Sequence, residues 1–153
     1  MRRAALACLL AAAAAGCAST PQATPERDAD AKRFVPHPAS AAIYVYRNDF
    51  RSGDEDEMDS VLYVDDRLVG ATLPGTYFRV DVRPGVRWLR GTGHDVGRLK
   101  LEARAGEIHF VALNVAAGHS RFRAVPAAVG RRELERCCVL LENWAPGQRP
   151  LLR

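Results

Sequence analysis

The chain predicts an all-β fold, a single antiparallel β-sandwich of about seven to eight strands. Three observations carry that expectation. Apolar and polar residues alternate with period two through Phe78-Arg79-Val80-Asp81-Val82 and again through Arg98-Leu99-Lys100-Leu101-Glu102, as half-buried strands require. Turn-forming pairs, Asp65-Asp66, Pro84-Gly85 and Ala105-Gly106, break the alternating runs at short intervals. Ala41-Ala42-Ile43-Tyr44-Val45-Tyr46-Arg47 is rich in the β-branched and aromatic residues that fit a pleated surface.

The first segment to place is not a strand. Met1-Arg2-Arg3 is a short basic stretch, and Ala4 to Ala15 is an uninterrupted apolar run. The run is the length of a secretory signal, well short of the roughly 20 residues that span a bilayer. Ala14-Ala15-Gly16-Cys17 then resembles the lipobox of bacterial lipoproteins, in which small residues precede a cysteine at the cleavage point. The resemblance implies that residues 1–16 are a signal peptide. It also implies that Cys17 receives diacylglycerol and becomes the first residue of the mature, membrane-anchored protein. Ala14 departs from the Leu that the pattern favours, and an ordinary secretory signal with a free Cys17 thiol is the competing reading. Several acyl chains, each contributing about 0.8 kcal/mol per buried CH₂, make such an anchor stable. Ala18, where inner-membrane lipoproteins carry Asp, implies a bacterial envelope location at the outer membrane, facing the periplasm.

Residues 17–40 contain Ser, Thr, Gln, Pro and mixed charge with little apolar periodicity, which predicts a lipid-anchored flexible tether. His37 reads as a solvated tether residue. The sandwich domain is expected over residues 41–145, with an irregular tail over 146–153. Its first strand is Ala41–Arg47. The polar loop from Asn48 to Asp59 holds a run of carboxylates over residues 54–59, including Asp54, Glu55, Asp56, Glu57 and Asp59. Their spacing does not match a calcium-binding loop, so they read as solvated charge. Strands follow over Ser60–Asp65 and Arg67–Leu73.

The stretch Gly75–Gly91 predicts a hairpin about Pro84-Gly85, with Val82 opposite Val86 and Val80 opposite Trp88. That register assigns Trp88 to the core. Arg98–Arg104 and Glu107–Val115 read as a strand, a turn and a long central return strand. Gly118–Val125 reads as an edge strand on which Arg121 and Arg123 point outward and resist edge-to-edge association. Residues 127–136 suit a short helix, although Gly130 is unfavourable within it. Cys138–Leu141 suits a last buried strand.

The order IYVYR, polar loop, LYVDDRLVG and GTYFRVDVRPGVRWL resembles the domain-of-unknown-function 2846 family, small bacterial envelope domains that are frequently lipoproteins. More loosely it resembles the prealbumin-like and PEGA-type surface sandwiches. The resemblance spans roughly residues 41–141. Asp66 stands where the family's turn commonly has Gly, and Arg87 where the strand after Pro-Gly commonly has His or another polar residue. The family carries no established catalytic residues, so none transfer.

No reaction centre emerges from the residues. Ser120 with His119 or His94 and Asp95 lacks the strand-turn-helix elbow that activates a serine. His94, His109 and His119 lie on separate predicted elements; a metal-dependent hydrolase would need them to converge with the carboxylates of the acidic loop. Nor does charge suggest nucleic acid: the formal +4 falls to +2 without Arg2 and Arg3, and the cations are scattered. Lys occurs only at 32 and 100, so the positive charge is almost all Arg.

Cys137-Cys138 leaves three possibilities open: a vicinal disulfide, two reduced structural thiols, or a buried thiol beside an exposed intermolecular one. The expected function is therefore a non-catalytic interaction module, anchored in the membrane through Cys17, with no metal or cofactor. Its partner is an envelope protein, the cell wall or a small ligand. The alternatives are the hydrolase and a structural module that oligomerises through a sheet edge or Cys138.

Overall fold

The computed structural model describes residues 20–47, 60–91, 97–116 and 119–143. Two sheets face each other, and two helices cover the outside of one of them. The first sheet has five strands in the order β8-β7-β1-β4-β9. They are β1 (Ala41–Arg47), β4 (Thr76–Val82), β7 (Ile108–Ala116), β8 (His119–Val125) and β9 (Val139–Leu140). The second has four, in the order β3-β2-β5-β6: β2 (Ser60–Val64), β3 (Arg67–Thr72), β5 (Gly85–Arg90) and β6 (Arg98–Ala103).

Between the sheets lie Ile43, Val45, Phe78, Val80, Val82, Val111 and Leu113 from one side, and Leu62, Val64, Val69 and Leu89 from the other. Residues of opposite parity in the five-stranded sheet form a second core. Tyr44, Tyr46, Tyr77 and Phe110 pack there against Ala31 and Phe34 near α1 (Pro25–Ala31) and against Leu134 of α2 (Ala127–Cys137). This accounts for β1. It is buried at every position because both of its faces are covered, and a strand covered on both faces reads as a continuous apolar run.

The all-β sandwich is therefore the fold, with three corrections to its wiring. The sheets are not wholly antiparallel, because β1 pairs in parallel with β7, and β4 with β9. The Pro84-Gly85 hairpin does not form either. β4 pairs with β1 while β5 pairs with β2 and β6, so the chain changes sheets at this corner. Gly85 has a φ of 127°, which a residue with a Cβ rarely adopts. The turn at Ala105-Gly106 likewise carries the chain from one sheet to the other.

The third correction concerns the tether, because the chain packs from Thr20 onward. Thr24 caps α1, its side chain accepting the amide of Arg27, with a proline in the first turn. Ala31 and Phe34 are buried, and Tyr44 Oη donates to the Ala31 carbonyl at 2.7 Å. The Gln22–Leu141 bridge, the Ala23 N–Leu140 O bond (2.8 Å) and the Glu142 N–Pro21 O bond (2.8 Å) tie residues 21–23 to the chain around β9. Few apolar residues are needed here, because a ready-made aromatic sheet face receives them. The domain thus includes residues 20–40 as well as the expected core.

Candidate functional site

The outer face of the four-stranded sheet differs from every other sheet surface described. Both helices lie on the five-stranded sheet, and neither contributes to covering this face. Its residues follow from strand parity. In β6, Leu99 and Leu101 turn toward the core while Arg98, Lys100 and Glu102 are exposed. In β5, Leu89 is fully buried, so Val86, Trp88 and Arg90 point the other way. Register sets Trp88 beside Lys100 and Arg90 beside Arg98.

Trp88 is therefore 48% exposed rather than packed in the core. A signal for this lay in the sequence: Arg90 shares its parity, and Leu89 has the opposite one. Lys100 Nζ sits 5.9 Å from the Trp88 ring centroid, and the Arg90 guanidinium lies 3.8 Å from that of Tyr63. Both are within cation–π range.

The β2–β3 turn fixes this corner. Asp65 and Asp66 both have positive φ, 49° and 61°, as a two-residue turn matched to strand twist requires. That conformation aims Asp65 back at β5. Its Oδ1 accepts the Trp88 amide at 2.9 Å, and its Oδ2 accepts Arg87 Nη1 at 2.7 Å. Asp66 Oδ1 accepts Arg90 Nε at 2.9 Å. Asp65, Asp66, Trp88, Leu89, Arg90 and Arg98 line a cleft of about 380 Å³. Its groups suit binding: an aromatic ring, guanidinium donors, and carboxylates of which Asp66 is held by Arg90 and Asp65 by the neighbouring Arg87.

The other sequence-predicted sites fare differently. Cys17, His94, Asp95 and the acidic run over residues 54–59 lie outside the described residues, as do residues 48–59 and 92–96 of the loops Asn48–Asp59 and Gly91–Gly97, which the sequence suggests as partner-facing. His109 and His119 do not converge. They sit near opposite ends of the β7–β8 ladder, where His119 pairs with Ala116. Burial pushes the His109 imidazole below its ordinary value, with Arg104 adding to the effect and Glu107 opposing it. Ser120 is buried and bonded through Oγ to Ser60, bridging the two sheets. Among the described residues no group of three metal-ligating side chains forms, and no helix is long and apolar enough to cross a membrane.

Cys137 and Cys138 are joined as a vicinal disulfide. Strand alternation would point neighbouring sulfurs to opposite faces, but it does not apply here: Cys137 ends α2 while Cys138 is its extended C-cap, with φ −128° and ψ 146°. Cys138 is 3% exposed, and its Sγ lies 3.5 Å from the Arg47 carbonyl oxygen. Buried and already bonded, it is not the exposed partner of an intermolecular disulfide.

No family model matches the chain. A Haemophilus influenzae protein described as uncharacterized is 33% identical over 70 residues, which cover 45% of this chain and 40% of that protein. The chain thus matches less than half the length of that relative, and the likeness assigns no activity.

Proposed function

We propose that this protein is a lipid-anchored component of the bacterial cell envelope. Its β-sandwich is a non-catalytic binding module, and Cys17 is its anchor. The reading carries with it the domain-of-unknown-function 2846 resemblance and the location at the outer membrane, facing the periplasm. The single observation behind the anchor is the succession of a basic start, an apolar run and Ala14-Ala15-Gly16-Cys17. The binding role draws on the outer face around Trp88, where an exposed aromatic, exposed cations and a cleft meet.

The hydrolase alternative draws no support from His109 and His119, which stand near opposite ends of the β7–β8 ladder. Cys138, buried and bonded to Cys137, lends no support to oligomerisation through that thiol.

Metabolic labelling with palmitate tests the anchor. The wild-type chain should incorporate label, and globomycin should cause precursor to accumulate. Cys17→Ser should abolish labelling. A mature species that never labels and ignores globomycin would refute the anchor.

A further inference from the structure

We infer that the domain is held flush against the bilayer, with the outer face of the β3-β2-β5-β6 sheet docked on anionic phospholipid headgroups. The inference rests on the Cys17 anchor proposed above, and it replaces the long tether with a short and directional attachment.

The first observation is where the packed chain begins. Thr20 is 3% exposed. Its Oγ1 donates to the Ala71 carbonyl of β3 at 2.9 Å. Its methyl group sits against Gly70, at a point where a Cβ on that residue would approach Thr20 Cγ2 to 3.3 Å and Phe78 Cζ to 2.8 Å. Residues 21–23 are bonded to the chain around β9. Thr20 is thus fixed to the body, and Cys17 precedes it by three residues. Whatever path they take, three residues span at most about 11 Å. A lipidated Cys17 therefore brings β3, the edge of the four-stranded sheet, to the membrane surface.

The second observation is what that sheet presents. Leu68, Val86 and Trp88 are 40%, 48% and 48% exposed. They stand among the exposed Arg98 and Lys100 and the half-buried Arg90. The opposing charges on this face are Glu102 and the two turn carboxylates already paired within the fold, Asp65 with Arg87 and Asp66 with Arg90, so Arg98 and Lys100 remain for an outside anion. Isolated apolar side chains amid long cations are less suited to a dry protein interface than to the headgroup layer. There an indole sits at the boundary while Lys and Arg reach phosphates. Positive charge close to the surface is drawn to anionic lipid within a Debye length. The outer face of the other sheet is occupied by α1 and α2, so it cannot serve in the same way.

The chain has two tryptophans, Trp88 and Trp144. In full-length W144F, matured and reconstituted into vesicles, Trp88 is the sole tryptophan reporter. With phosphatidylethanolamine–phosphatidylglycerol vesicles containing brominated acyl chains, Trp88 emission should fall by about twofold or more. It should recover in phosphatidylcholine vesicles or after R98E/K100E, two exposed strand positions whose exchange leaves the core untouched. A protein that floats with vesicles and carries palmitate, yet shows no quenching by brominated lipid, would overturn the docking while leaving the anchor intact. Quenching of a chain that carries no palmitate would refute the anchor and support the lipid-binding face. Protection of Trp88 from acrylamide without lipid quenching would indicate a protein occupant and overturn the proposal.

Discussion

Gly130 and Trp88 show how a residue's neighbours decide what it means. Gly130 weakens the intrinsic case for α2, yet it is where the helix meets the sheet: a Cβ there would overlap the Phe110 side chain and lie 2.7 Å from its Cδ1. Leu134 buries one turn further along. Gly130→Ala would gain roughly 1 kcal/mol of helix propensity. It would also force apart a buried contact, and overpacking of this kind costs about 1–3 kcal/mol or more. The variant should therefore be net destabilised, by up to about 2 kcal/mol, read as a lower urea midpoint with an unchanged slope; greater stability would mean that α2 does not sit this close to β7. Trp88 is the converse case. A hairpin register that sets Trp88 opposite Val80 invites a core assignment, but its exposure follows once Leu89 is recognised as the inward residue of β5. Asp65 holds the Trp88 amide and the Arg87 side chain together, a contact between segments 23 residues apart that no local pattern encodes.

At the scale of elements, all nine described strands and α2 were legible, because each carries its own alternation, apolar run or helix-forming composition. Their pairing was not. A two-residue corner at Arg83-Pro84 is compatible with a hairpin and with a change of sheet, and only the cross-strand partners distinguish the two. The segment around α1 was missed for a related reason. It has little apolar character of its own and completes a face made by Tyr44, Tyr77 and Phe110.

That aromatic layer also predicts a pH response. Burial above all raises the Tyr44 hydroxyl to about 12. The Tyr46 and Tyr77 hydroxyls are also raised, first by burial and then by bonds to Glu133 and Asp28. Above pH 10 the unfolded chain loses phenolic protons that the folded chain retains, so stability is full below pH 10 and declines as pH rises. Tyr44 alone should cost about 2 kcal/mol by pH 12. Denaturant titrations between pH 9 and 12, monitored with tyrosinate absorbance, should show ionisation coinciding with unfolding. Free ionisation of these rings in the folded protein would place them outside the core.

For the whole molecule, the sandwich gives two unlike outer surfaces. One is sealed by α1, α2 and the buried tyrosines; the other is open, with exposed Trp88, Lys100 and Arg98. The sandwich was legible as a class, since alternating strands have few other ways to bury a single apolar face each. The open face was not, because it arises from β5 joining β2 and β6 instead of β4. The distance between anchor and body changed even more. Packing from Thr20 leaves only Ala18 and Ser19 between Cys17 and the fold, so a lipidated domain would lie at the membrane without a long spacer. The anchor on which this account turns is measured most directly by the intact mass of the protein extracted from its native membranes. The account predicts a chain beginning at Cys17 and carrying the added mass of a diacylglyceryl group, with an amide-linked acyl chain where the amino terminus is modified. A mature chain of unmodified peptide mass, whether it starts at Cys17 or elsewhere, would contradict it.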